Sequence, residues 1–191
     1  LNYAFDPRVH LKRFFEDRKE HLTFLIDEAH NLPDRLRSMY SAELTKSRML
    51  EARRAIKEQV PKLAAHLSQI NTMMLEMRKE CENASSGFQT LNEPPEPFMK
   101  QLELFAVDAD AWLDTHSNSA VKEPVADIYF EIYGFLVISE FFDDHYRFTM
   151  AQSGNELTTK LLCIDPSVIF SKLILKARSS ILFSATLYPF E

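Results

Sequence analysis

The amino-acid sequence predicts a mainly α-helical protein with a minor α/β part, in which one unit of four helices is inserted between short apolar strands. Three features support this fold class. Only three of the 191 residues are glycine and 46% are apolar, as expected of a globular, mostly helical chain. Apolar residues recur every three or four positions through the middle of the sequence, as on the buried face of a helix. Two apolar runs, 22–26 and 180–183, are too short for helices and rich in strand-forming residues.

The first elements are a helix, a strand and a second helix. Asp6 and Pro7 suit the N-cap and first position of a helix, which we expect over 6–19. The run 22–26 follows as a buried strand because it is continuously apolar. A short helix over 33–39 begins at a proline.

Four helices are predicted in the middle of the chain, over 45–59, 61–83, 97–115 and 124–143. The second has apolar residues spaced alternately by four and three, a heptad seam. Its members are Leu63, Leu67, Ile70, Met74, Met77 and Cys81. The fourth is apolar on more than one face, so we expect it to be the most buried. The segment 84–97 is predicted to be a loop from its composition.

The last part of the chain returns to strand patterns. Two strands, 147–150 and 157–163, are predicted around a turn at 153–155. A short helix begins at Asp165, and the run 180–183 is read as another buried strand.

Composition excludes several classes of protein. A net charge of −6 argues against a globally basic nucleic-acid binder, so any DNA contact must come from a local patch. The two cysteines form no CxxC pair, which argues against a zinc or iron–sulfur site within this chain. No apolar run approaches the ~18 residues that cross a membrane. Because the first residue is not Met, we expect the chain to begin inside a larger gene product.

Two adjacent carboxylates, Asp27 and Glu28, follow the first apolar strand directly. In open α/β sheets, ligands bind beyond the carboxyl ends of the strands. One such carboxylate can hold Mg²⁺ through water while the other orients or deprotonates an attacking water. For an isolated Asp-Glu pair, capping the next turn is the simpler interpretation. The apolar strand before it and the sequence Asp-Glu-Ala-His-Asn-Leu-Pro favour a nucleotide site.

The second apolar strand ends in Ser184-Ala185-Thr186. In this order, the DEAH and SAT sequences resemble motifs II and III of superfamily-two helicases. NYAFDP at 2–7, DEAHNLPDR at 27–35 and SAELT at 41–45 narrow the resemblance to the iron–sulfur helicase family of DinG and XPD. Asp27 and Ser184 are 157 residues apart, far more than the ~10–30 residues of a strand-to-strand connection. In that family the excess is the helical Arch domain.

The resemblance implies a four-helix Arch-like insertion flanked by strands of a RecA-like helicase motor domain. Residues 1–44 and 147–191 would belong to motor domain 1, and 45–146 to the Arch-like insertion. It also implies an ATP-dependent 5′→3′ DNA helicase as the full-length parent, cytoplasmic in a bacterium and associated with the nucleoid. We expect the present chain to be monomeric.

The resemblance also implies roles for individual residues. Asp27 would hold Mg²⁺ through water beside ATP, Glu28 would be the catalytic base, and His30 would couple nucleotide state to DNA. The coupling partners of His30 would be Ser184, Ala185 and Thr186. The chain has no GxxxxGK[ST] phosphate loop, so we expect it to be inactive alone. Any iron–sulfur ligands would precede the first residue.

A basic segment at the start of the insertion is the candidate DNA contact. Residues 45–59 carry a net charge of +3, whereas 92–147 carry −9. Its proposed phosphate contacts are Lys46, Arg53, Arg54 and Lys57. Such a face would guide single-stranded DNA at a forked duplex. A solvated charged face with no ligand is an equally good interpretation at this stage.

Two other functions remain open. The chain can be a non-motor nucleic-acid or protein-interaction module derived from a helicase, although the intact Asp27, Glu28 and His30 argue against decay. It can also belong to an RNA helicase of the same superfamily, which the long gap between the two motifs disfavours.

Overall fold

A computed structural model describes residues 5–8, 22–84 and 86–185 of the chain. The helices are α1 (Leu32–Met39), α2 (Lys46–Ile56), α3 (Pro61–Asn83), α4 (Glu96–Thr115), α5 (Lys122–Ser139) and α6 (Ser167–Ile174). The strands are β1 (Thr23–Ile26), β2 (Ala42–Thr45), β3 (Phe88–Leu91), β4 (Tyr146–Ser153), β5 (Glu156–Cys163) and β6 (Ser179–Leu182). The architecture is mixed α/β, with the helices dominant and two small sheets. Among the described residues, no helix is long and apolar enough to cross a membrane.

The chain divides into two compact units. One takes its described residues from Leu1–Ser41 and Cys163–Glu191, and the other is Ala42–Leu162. The boundaries expected from the sequence were 44/45 and 146/147. The boundaries differ because β2 and most of the hairpin β4–β5 join the same sheet in the second unit.

In the first unit, β1 and β6 pair in parallel, and the unit also contains α1 and α6. Its core includes Leu36 and Tyr40, whose hydroxyl donates to the Phe5 carbonyl at 2.8 Å. Burial, followed by the charge of Asp6, raises the pKa of Tyr40 to about 12. The helix predicted over 6–19 lies almost entirely outside the described residues.

The prediction that both apolar strands are buried is wrong for this chain. Leu25 of β1 is 68% exposed, and Ile181 of β6 is 53% exposed. Five of the eight residues in the two strands are exposed, so among the described residues a second layer covers only part of this two-stranded sheet. The continuous apolar runs thus predicted the strands correctly, but they did not predict how far the strands are buried.

The second unit packs α2, α3, α4 and α5 with a four-stranded sheet in the order β2-β5-β4-β3. The heptad seam of α3 is confirmed, since all six of its members are buried. Residues 84–97 are not simply a loop, because β3 pairs antiparallel with β4, Thr90 facing Thr149. Gly87 makes the turn into β3 with φ +64°, a backbone angle that favours glycine.

Helix α5 does not fit the expectation that it is the most buried helix. Its buried residues, such as Ile128 and Ile132, lie on one side. Phe130 and Tyr133 on the other side are 64% and 37% exposed. The second apolar face predicted from the sequence therefore exists, but it faces solvent.

Candidate functional site

The parallel pairing of β1 and β6 brings the two sequence motifs together. Ile26 faces Leu182 at the carboxyl ends of the strands. The Phe183 N–H donates to the Ile26 carbonyl at 3.0 Å, and the Ala29 N–H donates to the Phe183 carbonyl at 3.1 Å. Backbone hydrogen bonds thus fix the DEAH turn against the segment that follows β6, although the two lie more than 150 residues apart in sequence.

Glu28, His30 and Ser184 form a closed triangle of polar contacts. The His30 Nδ1 lies 2.8 Å from the Ser184 Oγ, and the Ser184 Oγ lies 3.2 Å from the Glu28 Oε2. The third side, from His30 Nδ1 to Glu28 Oε2, is 3.3 Å. A hydroxyl has one hydrogen, so if Ser184 donates to the Glu28 carboxylate, it accepts from a protonated Nδ1 of His30. Both the histidine and the glutamate side chain are more than two-fifths exposed, which leaves them accessible to a ligand.

The backbone at Glu28 is in the left-handed helical region, with φ +53° and ψ +45°. No other described non-glycine residue has a positive φ. Such a conformation costs on the order of 1–3 kcal/mol and is often found at functional sites. The Asp27 Oδ1 accepts the Glu28 N–H at 2.8 Å, and the Glu28 carbonyl accepts the Asn31 N–H at 2.9 Å. These bonds hold the strained turn that aims the Glu28 side chain at Ser184.

The remaining residues of the two motifs lie beside this triangle or outside the described residues. Asp27 and Ala185 are exposed, whereas Thr186 lies outside the described residues. No group of three or more His, Cys, Asp or Glu side chains within the described ranges is arranged to hold a metal ion. Mg²⁺ often takes one or two carboxylates together with waters and substrate phosphates. The exposed Asp27 carboxylate suits that chemistry, and its role stays a prediction.

The proposed DNA-contacting residues share one side of α2 and its C-terminal end. Lys46, Arg53 and Lys57 follow at intervals of seven and four, so they line up along the helix, with Arg54 beside them. Arg54 and Lys57 are exposed, and Lys46 and Arg53 are half-buried. The other basic residue, Arg48, makes a different contact: its Nε donates to Glu131 of α5 at 2.9 Å.

Sequence reasoning missed the residue that supports the start of this basic helix. Glu156 of β5 accepts the N–H groups of Ser47 and Leu157, each at 3.0 Å. Burial acts to raise the pKa of Glu156, but the hydrogen bonds from Ser47 and Leu157 and the charge of Lys46 together hold it below its usual value. The contact joins positions 109 residues apart, and no local pattern indicates it.

Comparisons with known proteins show the fold. Neither protein-family models nor curated proteins give a match to this sequence. Among solved structures, Xpd4 of S. tokodaii superposes with a TM-score of 0.51 at 14% sequence identity. The match covers 98% of this chain and 39% of that chain, so this chain spans about two-fifths of the length of Xpd4. The chain therefore has the fold of part of Xpd4.

Proposed function

We propose that this chain is a segment of an ATP-dependent 5′→3′ DNA helicase of the DinG/XPD type. In this proposal it supplies the magnesium–ATP carboxylates, the coupling motif and an Arch-like insertion. The observation that carries the proposal is the contact of Glu28 and His30 with Ser184, which joins the DEAH and SAT motifs at one edge of a parallel sheet. The fold shared with part of Xpd4 adds support, because the motifs independently resemble the XPD family.

Each motif residue has a distinct role in the proposed reaction. Bound Mg²⁺-ATP supplies the phosphoryl group that is transferred to water. Asp27 would hold the ion, and the Glu28 carboxylate would accept a proton from the attacking water. Ser184 and His30 position that carboxylate. Because Ser184 follows β6 and His30 follows β1, a shift of one strand against the other would alter the hydrogen bonds to Glu28. The same three contacts thus provide a route by which the nucleotide state can be coupled to DNA.

The proposed reaction needs parts that this chain does not supply. Its sequence contains no phosphate loop, so turnover belongs to a longer parent protein. Leu25 and Ile181 pair across the two strands and share one exposed face of the sheet, which we expect other elements of the parent to cover. An iron–sulfur cluster does not fit the described residues, because both cysteines, Cys81 and Cys163, are buried and belong to no group that can hold a metal ion. Its ligands would have to lie elsewhere in the parent.

The basic side of α2 is the proposed guide for single-stranded DNA at a fork. Residues Lys46 to Lys57 span about 16 Å at ~1.5 Å per residue, enough to follow several backbone phosphates. Lysine and arginine side chains bind phosphates without reading bases. The exposed or half-buried side chains of Lys46, Arg53, Arg54 and Lys57 are suited to this contact.

Replacing Ser184 with alanine in the parent protein tests the coupling role. We expect ATP binding to be retained and DNA unwinding per ATP hydrolysed to fall, because Glu28 and His30 lose the hydroxyl that joins them. The matched control is Ser179→Ala on β6, the strand that precedes Ser184; the Ser179 hydroxyl bonds only Thr23 in the described structure, at 2.9 Å. Equal unwinding per ATP in the two variants would rule out a coupling role for Ser184.

A further inference from the structure

A cluster of three aromatic rings, two of them exposed and the third half-buried, lies on the outer side of α5. Tyr129 packs against Phe130 with ring centroids 5.2 Å apart, and stacks on Tyr133 at 5.7 Å with 23° between the planes. Phe130 is 64% exposed and Tyr133 is 37% exposed. We call these three residues the aromatic cluster. Exposed aromatic groups of this kind are enriched at protein-binding surfaces, where they serve as anchors.

Acidic residues of α4 border the aromatic cluster. The Tyr129 hydroxyl donates to the Asp110 Oδ1 at 3.0 Å, which fixes α4 beside the rings. Burial, then the hydrogen bond to Asp110, and also the charge of Asp114 raise the pKa of Tyr129 to about 12. Asp114 lies one helical turn beyond Asp110 and is exposed. Val107, 69% exposed, lies one turn before Asp110 and extends the apolar surface onto α4.

The charge around the aromatic cluster limits the classes of molecule that can bind there. Helices α4 and α5 together carry eight acidic and two basic residues, a net charge of −6. Of these acids, Asp108 pairs with Lys62 and His66, and Glu131 pairs with Arg48. Several others, including Asp110 and Asp114, are exposed. Such a surface repels the phosphates of DNA, anionic lipid headgroups and the same surface of a second copy of the chain.

We propose that the aromatic cluster is a docking site for a basic amphipathic segment of a partner protein. An apolar side chain of that segment packs on Phe130, and its lysines or arginines lie beside Asp110 and Asp114. Cations over the faces of Tyr129 and Tyr133 gain further attraction from the rings. This surface is distinct from the basic side of α2, and its use does not depend on the helicase proposal.

The test uses the 191-residue chain and a labelled amphipathic helical peptide made of leucine and lysine, with binding followed by fluorescence anisotropy. We expect Phe130→Ala to weaken binding by about tenfold or more, because truncating an aromatic anchor removes a large part of the interaction. The matched control is Phe88→Ala, which removes another exposed phenylalanine, 47% exposed, from the same unit. It should leave the affinity within about twofold of wild type. Equal losses in the two variants would overturn the proposal.

Charge reversal gives an independent measurement that does not alter the rings. Asp114→Lys should weaken binding of the peptide several-fold, whereas Glu93→Lys should have little effect. Glu93 lies three residues before α4, whose first residue is 14 residues from Asp110, about 21 Å at ~1.5 Å per helical residue. A peptide in which glutamate replaces lysine should not bind. If it binds equally well, or if Phe130→Ala instead weakens binding of oligo-dT, the surface does not recognise a basic protein segment and the proposal fails.

Discussion

Replacing Glu156 with alanine should destabilise the protein through the start of the basic helix α2. The Glu156 carboxylate accepts two backbone N–H groups, from Ser47 near the first turn of α2 and from Leu157 of β5. Without that carboxylate, both donors depend on water, and the N-terminus of α2 loses a favourable negative charge.

The magnitude follows from the two effects of this carboxylate. Losing a side-chain acceptor at a helix N-terminus costs about 0.5–2 kcal/mol. Losing the negative charge there costs roughly a further 0.3–1 kcal/mol. We therefore expect Glu156→Ala to lower the free energy of unfolding by about 2 kcal/mol at pH 7. Glu156→Gln keeps a carbonyl acceptor, so it should lower the stability by only about 0.5–1 kcal/mol.

Urea denaturation followed by circular dichroism measures these differences. Glu43→Ala is the matched control, because its exposed ion pair with Lys160 should contribute less than ~1 kcal/mol. The pKa of Glu156 is lowered in the folded protein, so its charge stabilises the fold above the unfolded-state value near 4.5. That contribution is lost as the pH falls through the lower folded value. The difference in the free energy of unfolding between wild type and Glu156→Gln should therefore disappear at acid pH. A difference that stays constant from pH 7 to pH 3 would be inconsistent with this mechanism.

Two further variants test the packing and the charge of the second unit. Ile70→Ala should lower the free energy of unfolding by about 2–5 kcal/mol, because this side chain of the α3 seam is fully buried. Urea denaturation measures this, and a loss below ~1 kcal/mol would mean that the seam is not tightly packed. In the parent protein, the double variant Arg53→Ala/Arg54→Ala should weaken binding of single-stranded DNA of any sequence. It should also reduce the slope of the log binding constant against log salt concentration by up to ~0.7 per lost contact. The double variant Lys100→Ala/Lys122→Ala, with the same charge change on the acidic helices, should leave both values unchanged.

The helical part of the fold was predictable because its signal is local. Residues such as Leu67 and Met74 recur at the spacing of one helix face, and burial follows that spacing. Strand β3 was missed because each of its faces carries one apolar and one polar residue, so its sequence shows no alternating pattern. The burial of β1 and the exposed face of α5 were misjudged for a related reason. Periodicity identifies an apolar face, but only the tertiary structure determines what covers it.

The sequence named residues that the structure brings into contact, but it did not predict their geometry, and their functional roles stay predictions. The order of the DEAH and SAT motifs singled out Glu28, His30 and Ser184. The left-handed backbone of Glu28 carries no sequence signal, because glycine and asparagine are the residues usually expected there. Glu156 was missed as well, since a contact over 109 residues depends on the register of β2 and β5.

ATP hydrolysis by the parent protein is the most direct test of Glu28 as the catalytic base. In the presence of single-stranded DNA, Glu28→Gln should bind ATP with nearly unchanged affinity but hydrolyse it ~10²–10⁴-fold more slowly, because the proposed proton acceptor is lost. The 191-residue chain alone should show no turnover above background. A normal kcat in the Glu28→Gln parent would show that the DEAH turn is not the hydrolytic centre.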